Sequence, residues 1–171
     1  NEIFSQGFLL NENFNGKLTL QSKNLNNGDF FNEILVKSNF VGEKIELSNS
    51  KLMNKKIGSL NLDYGNIYLE ENDILFKGKF SFEIFDKNKF YRKFLVSKKN
   101  QKDIDKFYFG LIYNFSNFDA KIFFISLSED KTDINENLDS LIYSFNNNSI
   151  TINNWISLRS FVNKILSSYP G

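Results

Sequence analysis

The amino-acid sequence predicts a mostly β protein with α elements (α+β): a curled antiparallel β-sheet meander with a helical insertion and two C-terminal amphipathic helices. Three observations carry this expectation. Ile74–Asp86 places Ile74, Phe76, Gly78, Phe80, Phe82 and Ile84 at alternate positions, with Lys77, Lys79, Ser81 and Glu83 between them, which is the period of a strand with one apolar face. Shorter alternating segments precede it, with Asn and Gly at their corners and no helical pattern among them, as antiparallel neighbours require and βαβ units do not. Beyond Asp130 the apolar residues move to helical spacing.

Taken in order, Phe4–Leu10 reads as the end of a preceding strand. After the Asn15-Gly16 turn signal, Lys17–Lys23 alternates through Leu18 and Leu20, and Asn26–Asp29 forms the next corner. Ile34, Val36 and Phe40 share a face, as do Ile45 and Leu47 after the Gly42 turn. Ser50–Met53, Lys56–Tyr64 and Gly65–Glu70 read as three further short strands, with Leu60, Leu62 and Tyr64 on one face and Ile67 and Leu69 on the next. The meander therefore occupies residues 14–85. Asp86 is the expected N-cap of a helix carrying Phe90, Tyr91, Phe94 and Leu95 on one stripe, within a helical insertion over residues 86–106. Residues 107–128 read as a hairpin turning at Ser116-Asn117, with Phe107, Phe109, Leu111, Tyr113 and Phe115 on one side. Residues 134–169 hold two helices: Leu138, Leu141, Ile142 and Phe145 stripe the first, and Trp155, Leu158, Val162, Ile165 and Tyr169 the second, which Asn153 or Asn154 would cap and Pro170-Gly171 ends. Arg159, Asn163 and Lys164 fall opposite that second stripe. All of this fits a single domain.

The chemical inventory is short. The chain has no Cys and no His, which removes thiolate nucleophiles, disulfides, imidazole ligands and the usual general base near neutrality. Acidic clusters remain, at Glu70, Glu71 and Asp73 and at Glu129, Asp130 and Asp133; a solvated hairpin corner and a helix entry account for them. The expectation is a protein that is not an enzyme and uses no cofactor or metal. A net charge of +1 and just two arginines, Arg92 and Arg159, argue against a nucleic-acid partner working through phosphate neutralisation. No apolar run reaches the ~20 residues of a membrane-spanning helix, and a start without Met suggests a piece of a longer chain whose signal or anchor lies upstream.

Two features invite a binding role. Arg92, Lys93, Lys98, Lys99 and Lys102 form the densest basic patch, either a solvated helix end or a contact for anionic headgroups. The aromatic strand faces, in a chain with 20 Phe, need cover. If the helices lie on the sheet they close a core; if they lie at its ends, part of the face is left for apolar ligands.

GKLTLQSKNL, NFVGEKIELSNSKL, the stretch from Lys55 through the long strand to Phe94, and the closing NNWISLRSFVNKILSSYPG resemble the C-terminal region of AsmA-family proteins of alphaproteobacterial type, relatives of TamB and YhdP. The resemblance covers Asn15–Gly171 and rests on packing and turn patterns. It implies a periplasmic segment of a protein anchored to the inner membrane of a Gram-negative cell. The segment would be part of an apolar β-groove implicated in phospholipid transfer between inner and outer membrane and in outer-membrane assembly. Phospholipid acyl chains would be its cargo, with Ile74, Phe76, Phe80, Phe82, Ile84, Phe109, Leu111 and Tyr113 as groove or core face. Trp155, Leu158, Val162, Ile165 and Tyr169 would form a cap helix or dock on a membrane, since Trp and Tyr favour the interface. The alternative is an envelope scaffold or protein-interaction module that recruits a partner by strand addition.

Overall fold

Alternation of apolar and polar residues produces seven strands, and in the computed structural model, which describes residues 10, 13–25, 30–127, 136–147 and 155–168, they form one antiparallel sheet in chain order. The strands are β1 (Asn15–Ser22), β2 (Glu33–Val41), β3 (Lys44–Asn54), β4 (Gly58–Glu70), β5 (Asp73–Ile84), β6 (Lys106–Asn114) and β7 (Ala120–Ser126). Three helices accompany them: α1 (Lys87–Phe94), α2 (Glu136–Asn147) and α3 (Trp155–Ser168), with a 3-10 turn at Lys98–Asn100. The sheet is open, with β1 and β7 at its edges. The mostly β fold with α is as the sequence predicts. The readings at residues 4–9, the corner at 26–29, the acidic loop at 129–133, the caps at Asn153 and Asn154, and Tyr169 to Gly171 lie outside the described residues.

Two predicted strand breaks are absent. Ser50–Met53 continues Lys44–Leu47, and Gly65–Glu70 continues Lys56–Tyr64, because each slip in the alternation is a bulge and not a turn. In β3, Asn49 adopts φ 50° where the register with β2 shifts. In β4 the register with β5 shifts between Leu62 and Tyr64. One extra residue reverses the facing of all that follow. Leu60 and Leu62 thus share their face with Gly65, Ile67 and Leu69. Tyr64, expected beside Leu62, pairs with Lys79 on the opposite face, where the Lys79 ammonium lies 5.2 Å from the Tyr64 ring centroid.

The tight turns suit this meander. Gly42 supplies a positive φ of 58° between β2 and β3, and Glu71 adopts φ 58° between β4 and β5, the twist that two-residue hairpin loops need. After β5, the Asp86 carboxylate accepts from the Lys89 backbone N–H at 3.0 Å, and the helix ends at Leu95 in the left-handed region. The N-cap is the one the sequence predicts; Leu95, expected on the apolar stripe, is instead the left-handed residue that ends the helix, and it is exposed.

The core lies at one end of the sheet. Phe82, Ile84, Phe107, Phe109, Ile122 and Ile125 meet Phe90 and Phe94 of α1, Leu138, Leu141 and Phe145 of α2, and Phe161, Val162, Ile165 and Leu166 of α3 in one buried cluster. Phe82 is its centre, stacked on Phe107 at 5.2 Å and edge-on to Phe90 and Phe94. β1, β2 and β3 contribute nothing to this cluster.

Candidate functional site

Cross-strand register turns the alternating strands into rows that run across the sheet. One row runs Leu18, Ser38, Leu47, Gly65, Gly78, Leu111, Ile122, and another runs Ser22, Ile34, Leu52, Leu60, Phe82, Phe107. Paired residues share a face, so one apolar face extends from β1 to β7. The helices close its β5–β7 end. Towards β1 it is open: Leu18, Leu20 and Leu69 are 55%, 51% and 55% exposed. Ile34, Val36, Leu47, Leu52 and Ile67 are half-buried.

The residues expected to line a groove divide accordingly. Phe82, Ile84 and Phe109 lie in the closed core, and Phe80 and Leu111 pack at its margin. Ile74 and Tyr113 are half-buried, and Phe76 is buried outside the cluster. The open surface is instead carried by β1–β4. The same period marks those strands in the sequence, but their smaller side chains draw less notice than the Phe row of β5.

Gly78 interrupts the row of large residues for a definite reason. It pairs with Gly65, and the Phe76 ring lies across both: a Cβ at Gly78 would stand 2.4 Å from Phe76 Cζ, and one at Gly65 2.7 Å from Phe76 Cε2. An aromatic ring covering facing glycines restores the packing they lack.

The last helix packs on the sheet. Val162 and Ile165 are buried with Phe161 and Leu166, while Trp155 and Leu158 are half-buried. Trp155 stacks on Phe30 at 5.2 Å. Asn163, expected on the outer side, donates to the Phe94 carbonyl at 2.8 Å and ties α3 to α1.

The basic residues are carried by α1, the 3-10 turn and the loop that follows it. Arg92 and Lys93 are exposed on α1, and Lys98 and Lys99 are exposed on the 3-10 turn. Lys102 is half-buried and its carbonyl accepts from the Tyr91 hydroxyl. Burial, above all, pushes the Tyr91 phenol above its ordinary value. Arg159, from α3, joins Arg92 and Lys93, a grouping that spacing along the chain does not disclose.

The Glu70, Glu71 and Asp73 cluster is a hairpin corner. Glu70 and Glu71 are exposed, and Asp73 accepts from Asn114 Nδ2 at 2.8 Å. Among the described residues no group of three or more acidic side chains is placed to hold a metal ion. No described helix is long and apolar enough to cross a membrane.

The two edges of the sheet differ. Asn146 of α2 donates to the Ile122 carbonyl and accepts from the Ile122 N–H, both at 2.9 Å, occupying the outer side of β7 as a neighbouring strand would. β1 is exposed along nearly its whole length. Compared with protein-family models, curated proteins and solved structures, the chain matches none.

Proposed function

We propose that the chain is a non-enzymatic, AsmA-like periplasmic segment whose apolar sheet face shields phospholipid acyl chains during their transfer between the inner and outer membranes, in a protein held at the inner membrane by an anchor outside this sequence. The observation that supports this reading is the largely apolar face of β1–β4, on which Leu18, Leu20 and Leu69 are exposed although Ile45 and Leu62 are buried. A continuous apolar surface of this kind on a folded chain marks an interaction site. An acyl chain laid on it removes apolar area from water at roughly 25 cal/mol per Å², while the headgroup stays hydrated beyond the strand ends. Such transfer needs no nucleophile, metal or general base.

Replacing both Leu18 and Leu20 by Asp tests the reading, because these side chains are already exposed and contribute little to folding. Lipid extracted from the purified protein and analysed by mass spectrometry should contain phospholipid for the parent chain. The double variant should retain less than about a tenth of it, with a melting temperature within about 3 °C. Equal lipid in both, or none in either, overturns the proposal.

A second reading has its own support in the exposed β1 edge: recruitment of an envelope protein by strand addition. Crosslinking at β1 to protein alone, with no co-purifying phospholipid, favours it.

A further inference from the structure

The chain holds two arginines among 21 basic residues, and the fold brings both to one shallow concavity of about 360 Å³ between α1 and α3. Arg92 enters from α1 and Arg159 from α3, and Lys93 completes the group with its ammonium 5.7 Å from the Trp155 ring centroid. Lys89 lies at the rim but is matched by Asp86 at 2.7 Å. Among the described residues no carboxylate forms an ion pair with Arg92, Lys93 or Arg159. Like charges brought to one concavity repel one another, and an anion bound there would offset that repulsion.

The site is built, since the two helices cannot slide freely. Asn163 bonds the Phe94 carbonyl, and the Phe94 and Trp155 rings pack at 4.9 Å. The packing of the two helices that carry the arginines is therefore fixed by contacts that need no ligand. The remaining wall is apolar, formed by Ile57, Trp155 and Leu95, and Leu95 is held 66% exposed by the left-handed residue that ends α1.

We propose that this concavity binds the phosphate group of an amphiphilic phosphate ester. Planar guanidinium forks bind phosphate oxygens in pairs, which Lys does not match, and that accounts for Arg at these two places in a chain that otherwise uses Lys. The apolar wall takes the adjoining carbon chain. A phospholipid headgroup and a soluble organic phosphate share this chemistry. The site stands apart from the open strands and does not depend on the acyl-chain reading.

Trp155 is the one Trp of the chain, so its fluorescence reports the site directly. The 171-residue protein is titrated with dihexanoyl phosphatidylglycerol below its micelle concentration, and separately with glycerol 3-phosphate. A saturable change that weakens with added salt is expected. Arg92→Gln and Arg159→Gln should each weaken binding by about tenfold or more, and Arg159→Lys by about threefold or more. Lys121→Gln, on β7 and outside the concavity, should change it by less than about twofold. Preference for the lipid supports the site, whereas equal binding of the two probes shows that the apolar wall takes no carbon chain and overturns the amphiphilic assignment. No saturable change with either probe, or an equal loss in Lys121→Gln, overturns it. Arg92 is exposed, so its variant carries the test should Arg159→Gln lower stability. Unchanged titration in the Leu18/Leu20 double variant separates this site from the strand face.

Discussion

Phe76 is buried outside the main core because it lies on glycine. Facing Gly65 and Gly78 leave a shallow trough, and the ring fills it; sequence alternation shows the gap in the apolar row but not the ring that lies over it. A different constraint acts at Gly58, where an added Cβ would stand 2.4 Å from the Glu83 carbonyl oxygen. A side chain can turn aside and a paired strand cannot. Gly58→Ala should cost more than Gly78→Ala, each within or above roughly 1–3 kcal/mol for overpacking. In a denaturation cycle, Phe76→Leu should recover much of the loss in Gly78→Ala and none of that in Gly58→Ala. Equal behaviour of the two glycines would remove the distinction between ring and backbone contact.

At the scale of elements, α1 is held by charges as well as by Phe90 and Phe94. The Lys89 ammonium and then the Lys89 N–H hold the Asp86 carboxyl below its ordinary 3.8. Lys87 does the same for Asp103 and also pairs with Asp105 at 2.7 Å; together these carboxylates raise Lys87 above its ordinary 10.5. Depressed carboxylates contribute above 3.8 and lose that contribution as pH falls through the folded values. Raised Lys87 contributes fully below 10.5 and loses it as pH rises further. With no His or Cys to titrate between these limits, the melting temperature should be flat from about pH 5 to 9 and fall on either side. Asp86→Asn keeps an acceptor for the Lys89 N–H but should make the acid limb shallower. A transition near pH 6.5 would contradict this account.

The start of this helix and its Phe90, Tyr91 and Phe94 stripe were legible in advance, since both are local; its end at Leu95, which the sequence places on the stripe, was not. Nor were the bulges at Asn49 and in β4. A slip in period 2 looks the same in a sequence whether the chain turns or continues, and only the partner strand decides. Arg92 and Lys93 were likewise readable as a basic patch, whereas Arg159 seemed to belong to the outer side of a different helix. What unites them is the packing of α3 against α1, a tertiary fact with no local signature.

Over the whole molecule, stability is unevenly placed. Helices seal the β5–β7 end, and β1 to β3 rely on ladder hydrogen bonds and a half-open face. Amide exchange should follow this gradient, with protection highest in β5, β6 and α3 and lowest in β1. Uniform protection across the seven strands would show that the sheet opens as one unit. The Asn146 side chain adds a direction to the gradient. Among the described residues the outer side of β7 is occupied at Ile122 and no strand pairs with the outer side of β1, so strand addition is expected at β1 and not at Ile122 of β7.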